Sequence, residues 1–134
     1  MNIERLTAIL REAAAKEIMP RFRRLDEGTI RTKSHAHDLV TEADEASERF
    51  ITEAIKSASP QTVVIGEEAV AANPKLLDTH FENETVVYVD PVDGTWNFAA
   101  GLPLFAVMAA VVQKGEVVAG VIYDPLGDDW VMTE

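Results

Sequence analysis

No cysteine occurs anywhere in the chain, so neither a disulfide framework nor a thiolate metal site is available to it. A reducing compartment is therefore acceptable, and the cytoplasm is the expected location. Basic side chains are scarce: 12 lysines and arginines stand against 23 acids, which leaves a formal charge of -11. So acidic a chain repels nucleic acid and anionic membranes, and neither is expected as a partner. Long apolar runs are missing too. Leu102 to Val112, the longest, is interrupted by Pro103 and falls short of a bilayer span, and the opening MNIERL has an early acid and no apolar core of a signal peptide. Internal repeats and low-complexity tracts are absent. What is present, 134 residues with 47% hydrophobic content, suffices for one sizeable core and is short for several domains, so residues 1–134 are expected to form a single unit.

From Asn2 to about Arg24, Ile3, Leu6, Leu10 and Ala13 recur at three- and four-residue steps, which predicts an amphipathic helix. Asp26 to Asp38 has no periodicity and reads as a connector able to order around a ligand, with Lys33 inside it. A second helix is expected to open at Thr41, where Thr41 and Asp44 have capping-box spacing, to bury Ala43, Ala46, Phe50, Ala54 and Ala58, and to close at Pro60. Thr62 to Ile65, ending at Gly66, and Val86 to Val89, ending at Asp90, read as buried strands, separated by a surface excursion with one helical turn at Lys75 to Asp78. Phe105 to Val112, Val117 to Tyr123 and Trp130 to Met132 then predict an antiparallel meander turning at Lys114-Gly115 and at Asp124 to Asp129. The expected fold is an α/β layered sandwich with two amino-terminal helices on one face of a mainly antiparallel sheet, the strand ends at Gly66 and Asp90 being neighbours. The last strand stops at Glu134 without a capping turn or partner, so the chain is expected to end in mid-fold.

The chemistry is concentrated in VVYVDPVDGTWNF, which sets Asp90 and Asp93 three residues apart at the mouth of a strand. Pro91 is expected to hold Asp90 extended and end the ladder there, and Gly94 permits a sharp turn or a close backbone approach. Like charges held so closely call for a cation, and hard divalent ions such as magnesium prefer oxygen ligands, to which the Val92 carbonyl can add. Glu67 and Glu68 follow Gly66 at the end of the other strand, so both acid-bearing turns can occupy one edge of the sheet. Plainer readings stand beside these: DPVDG as an ordinary turn, the glutamates as a solvated loop, Thr95 as the cap of a helix starting at Trp96. The amides of Gly94 and Thr95 can equally cradle a phosphate. His35, His37 and His80 have no ligand spacing and read as loop residues.

DLVTEAD (38–44), IGEE (65–68) and DPVDGTWNF (90–98), followed by GLPLFAV, closely resemble, in that order, the signatures of the inositol monophosphatase family, within the magnesium-dependent, lithium-sensitive phosphatase superfamily. The resemblance runs from Lys33 onward and implies the family's sugar-phosphatase fold, of which this chain would be the amino-terminal half. It implies that Glu67, Asp90 and the Val92 carbonyl bind one Mg2+ and that Asp90 and Asp93 bind a second. Asp93, Gly94 and Thr95 would contact the substrate, Gly94 and Thr95 through phosphate oxygens. Thr95 and Glu67 would be catalytic, activating a water that attacks phosphorus in line, and Lys33, Asp44 and Glu68 would form the surrounding shell. For Asp44, helix capping and a role at the site are both open readings. The function implied is a Mg-dependent phosphomonoesterase acting on a small phosphorylated polyol or sugar, inositol monophosphate by default, in a homodimer. The family's further metal-binding aspartate, in a WD-containing motif of its carboxy-terminal half, has no counterpart here.

The nearest rivals fail on spacing. A haloacid dehalogenase-type phosphatase uses DxDGT, whereas this chain has DxxDGT, and an EF-hand needs glycine at the loop's sixth position, where Thr95 stands. A fructose-bisphosphatase or nucleotide-phosphate phosphatase relative, and a non-catalytic metal-stabilised dimerisation or regulatory module, remain as alternatives.

Overall fold

A computed structural model describes residues 1–26, 28, 30–33, 39–78 and 84–134. The three histidines, Asp38 and most of the connector's turn lie outside the described residues.

Helix α1 spans Ile3–Ala13, its Asn2 side chain accepting from the Arg5 amide. The expected helix to Arg24 is shorter and changes character: a π-helical turn, Ala14–Ile18, leads into a single 3-10 turn, Met19–Arg21. Pro20 has no amide hydrogen to continue an α-helical ladder, which accounts for the change. The connector also holds more order than the sequence indicated, because β1 (Ile30–Thr32) pairs antiparallel with β2 (Leu39–Thr41).

Thr41 then caps α2, Glu42–Ala58, in a capping box completed by Asp44. The face that α2 buries differs from the expected stripe. Ala43 and Ala46 are buried, but Ala58 is exposed, and Ile51 and Ile55 carry the core contact alongside the buried polar side chains of Asp44, Ser47 and Glu48.

Strand β3 (Val63–Gly66) leads into the short α3 (Glu67–Ala72), a 3-10 turn (Pro74–Asp78) follows, and β4 (Thr85–Asp93) runs into α4 (Thr95–Ala99). The meander is β5 (Ala106–Gln113), β6 (Glu116–Asp124) and β7 (Asp129–Thr133). These strands form one sheet in the order β3-β4-β5-β6-β7, with β3 parallel to β4 and every other pair antiparallel. Lys114 and Gly115 both take positive φ at the β5–β6 turn, which suits the twist of a tight hairpin.

Both amino-terminal helices pack on one face of the sheet, where Leu6, Leu10, Ile51 and Ile55 meet Val87, Val107, Val111 and Val121. Phe22, Phe98 and Phe105 form an aromatic knot, with ring centroids 5.0 Å apart and edge to face for Phe98 and Phe105. It ties α4 to the start of β5. The opposite sheet face is apolar and open, with Tyr88 36% and Ile122 49% exposed.

Candidate active site

The parallel pairing of β3 with β4 sets Gly66 against Val89, so Glu67 and Asp90, the next residue on each strand, lie side by side where β3 ends. Pro91 does not end the ladder as expected. β4 continues to Asp93, and its pairing with β5 shifts register between Asp90 and Asp93, so Pro91 falls in a bulge where no amide hydrogen is required. That bulge turns Asp90 and Asp93 toward a common region. Gly94 follows at φ 91°, a left-handed conformation, and a Cβ there would lie 2.9 Å from the Leu104 carbonyl oxygen. The turn that separates Asp93 from Thr95 therefore requires glycine.

Burial raises the pKa of Asp90 well above the usual carboxylate range, and the nearby negative charges of Glu67 and then Asp93 push it further up. Among the described residues Asp90 Oδ1 is buried without a hydrogen-bond partner. Across from it, the Lys33 Nζ donates to Glu67 Oε1 at 2.6 Å and to Glu68 Oε1 at 3.3 Å. Burial opposes the Lys33 charge, but these hydrogen bonds and attractions hold its pKa above the ordinary lysine value. Glu68 is pushed up to about 7, chiefly by burial, with Lys33 opposing and Asp44 and Glu67 adding repulsion.

A second set of contacts leads from α2 to α4. The Thr95 hydroxyl donates to Asp44 Oδ1 at 2.9 Å, with the Val92 carbonyl oxygen also within reach at 3.0 Å. Thr95 is thus no helix cap: Gly94 holds the cap position, and α4 begins at Thr95 rather than Trp96. Asp44 caps α2 and also reaches Thr95. Its Oδ2 accepts from the Thr41 amide at 2.8 Å and the Thr41 hydroxyl at 2.6 Å while its Oδ1 holds Thr95. Burial raises the Asp44 pKa, against the lowering effect of those bonds.

Lys33, Asp44, Glu67, Glu68, Asp90, Val92, Asp93, Gly94 and Thr95 thus fall in one neighbourhood, linked by these contacts. Among the described residues, however, no three or more acidic or imidazole side chains already surround a point that could hold a metal ion. Instead the Lys33 ammonium is the cation that Glu67 meets. The acceptors still suit a hard cation, because Asp90 offers a buried, unpaired oxygen and two further carboxylates lie near enough to repel its charge.

Glu48 is the member that reading the sequence missed. Its carboxylate, buried on α2, accepts from the Glu68 amide at 2.7 Å and the Ala69 amide at 2.9 Å. The signal was present in the spacing of Asp44, Ser47, Glu48, Ile51 and Ile55, which share one helical face.

The sequence profile of the inositol monophosphatase family matches residues 2–133. Nus factor SuhB of Pasteurella multocida is 37% identical over 116 residues, which cover 87% of this chain and 41% of that protein. Inositol monophosphatase 1 of Bos taurus is 39% identical over 103 residues, or 77% of this chain and 36% of that one. In three dimensions the IMPase of Thermotoga maritima superposes with a TM-score of 0.82 at 29% identity, covering 98% of this chain and 47% of its own. This chain therefore spans less than half the length of these relatives. A profile match from residue 2 to residue 133, with the ordered motifs folded into one site, leads to one conclusion: the chain belongs to the inositol monophosphatase family.

Proposed function

We propose that this chain supplies the amino-terminal half, a single α+β domain over residues 1–134, of a magnesium-dependent phosphomonoesterase acting on a small phosphorylated polyol or sugar. The observation that supports it most is the buried, unpartnered Asp90 Oδ1, close enough to Glu67 and Asp93 to feel the charge of both. Glu67, Asp90 and the Val92 carbonyl would hold one magnesium ion and Asp90 with Asp93 a second. Bound there, magnesium would lower the pKa of water and offset charge on the phosphoryl oxygens.

The chain's own residues supply the rest. The Thr95 hydroxyl proton has two acceptors behind it, Asp44 Oδ1 and the Val92 carbonyl oxygen, so toward the substrate Thr95 Oγ1 presents lone pairs and accepts a hydrogen bond from the attacking water. Glu67 takes that water's proton. As the new P–O bond forms, the ester P–O bond opposite it breaks and the departing alkoxide is reprotonated from solvent. The Gly94 and Thr95 amides, at the start of α4, orient the phosphate oxygens. Asp93 would also contact the substrate, while Lys33 and Glu68 maintain the charge balance around Glu67.

Inositol monophosphate is the default substrate, on the strength of relatives named for it, and fructose bisphosphate and nucleotide phosphates are the competitors. The reading carries with it a cytoplasmic homodimer that binds neither nucleic acid nor membrane; no helix of the described residues is long and apolar enough to cross one. A second reading, a metal-stabilised dimerisation or regulatory module without turnover, is favoured by two observations. Both rest on the comparisons: several relatives bear the name Nus factor SuhB rather than a phosphatase name, and this chain covers less than half of their length.

Hydrolysis assays with magnesium on inositol monophosphate and fructose bisphosphate separate the two. The 134-residue chain should turn over barely or not at all, because Asp90 and Asp93 alone hold the second ion weakly. The chain extended through the family's remaining aspartate motif should be active and should lose activity on Asp93→Asn. Silence of the extended chain would favour the regulatory module.

A further inference from the structure

Helix α2 carries two buried carboxylates one turn apart, and each grips a different part of the site. Asp44 holds Thr95 at the entrance to α4, and Glu48 holds the backbone at the entrance to α3. Glu48 is 8% exposed, and it sits against the end of β3 so closely that a Cβ on Gly66 would lie 2.1 Å from the Glu48 carboxyl carbon. Gly66 has an ordinary extended conformation, so the requirement for glycine here is spatial: any side chain would displace Glu48.

We infer that Glu48 is a positioning residue for magnesium, fixing the Glu67–Glu68 turn against α2 so that Glu67 faces Asp90. This inference rests on the proposed metal site. The physical argument is preorganisation. Two amide hydrogen bonds to one carboxylate fix both the position and the direction of the turn, and α2 is long and buried enough to act as a rigid spacer between the Glu67 and Thr95 arms. Without Glu48 the Glu68 and Ala69 amides lose their acceptor, and the turn is free to rotate Glu67 away from Asp90. Groups that orient metal ligands from behind influence affinity by about 10–100-fold when removed.

Magnesium titration by calorimetry tests this on the wild-type chain, Glu48→Ala, Glu48→Gln and Gly66→Ala, with Leu10→Ala as a variant that destabilises the core far from the site. Each is measured at a temperature where circular dichroism shows it folded. Glu48→Ala should weaken magnesium binding about tenfold or more, and Gly66→Ala should do likewise. Glu48→Gln, which keeps one acceptor oxygen, should fall between, and Leu10→Ala should bind as wild type does. If Glu48 merely supports the fold, Glu48→Ala will melt earlier yet bind magnesium as tightly as wild type, and the inference fails. Absence of binding in the folded wild type is a different result: it removes the metal site itself and this inference with it.

Discussion

Asp93 and Thr95 face the site together because the residue between them can adopt φ 91°. An alanine in that left-handed conformation costs on the order of 1–2 kcal/mol, and at Gly94 its Cβ would also press on the Leu104 carbonyl oxygen. Gly94→Ala should therefore destabilise the protein by at least about 1 kcal/mol in a urea titration; an unchanged midpoint would show that the turn is not as tight as described. Residue-scale features were legible in proportion to how local their cause is. DPVDGT announces its acids, its turn and its hydroxyl within six positions, and the Thr41–Asp44 capping box is a four-residue signal. The spacing of Glu48 with Ile51 and Ile55 marks it as lying on the inward face of α2, but what it holds was not legible, because its partners are 20 and 21 residues away and a helical glutamate usually faces water. The Thr95–Asp44 bond spans 51 residues and was hidden for the same reason, so the sequence left capping and a role at the site equally open for Asp44.

At the scale of elements, the period of the apolar residues carried most of the information. α1 follows its Ile3, Leu6, Leu10 and Ala13 stripe, and all four are buried. Its π-helical end was not legible, since one extra backbone residue per turn leaves no mark on composition. Nor were β1 and β2 legible, because three residues are too few to show alternation. β4 and β5 read as unbroken apolar runs, which suits central strands with apolar groups on both faces. The bulge in β4 escaped notice because proline looks the same at a strand end and at a bulge. Since α1 is held to the sheet through its stripe, truncating its centre should be costly: Leu10 is fully buried, and Leu10→Ala should remove about 2–5 kcal/mol of stability. Chemical denaturation measures this directly, and a loss under 1 kcal/mol would mean that α1 packs more loosely than its burial indicates.

For the molecule as a whole, the excess of acid in the composition is partly directed inward. Glu68 has its pKa raised from 4.5 to about 7, and Asp90 is raised as well. The folded, metal-free protein therefore keeps protons that the unfolded chain has already released. The contribution of these groups is fully present below their unfolded pKa values and is lost as pH rises through the folded ones. In chelator, the melting temperature should fall between about pH 4.5 and pH 7, whereas a rise across that window would contradict the burial of these carboxylates. Magnesium should oppose the loss by binding the native state, by about 2.7 kcal/mol at a hundredfold excess over its dissociation constant.

The central claim is that Glu67, Asp90 and Asp93 form a magnesium site, and calorimetric titration of magnesium into the metal-free wild-type chain and into Asp90→Asn tests it most directly. Asp90 is shared by both proposed ions and supplies the unpartnered buried oxygen, so the wild type should bind and Asp90→Asn should not. A folded wild type that gives no binding heat, or an Asp90→Asn variant that binds as tightly as the wild type, would contradict the account.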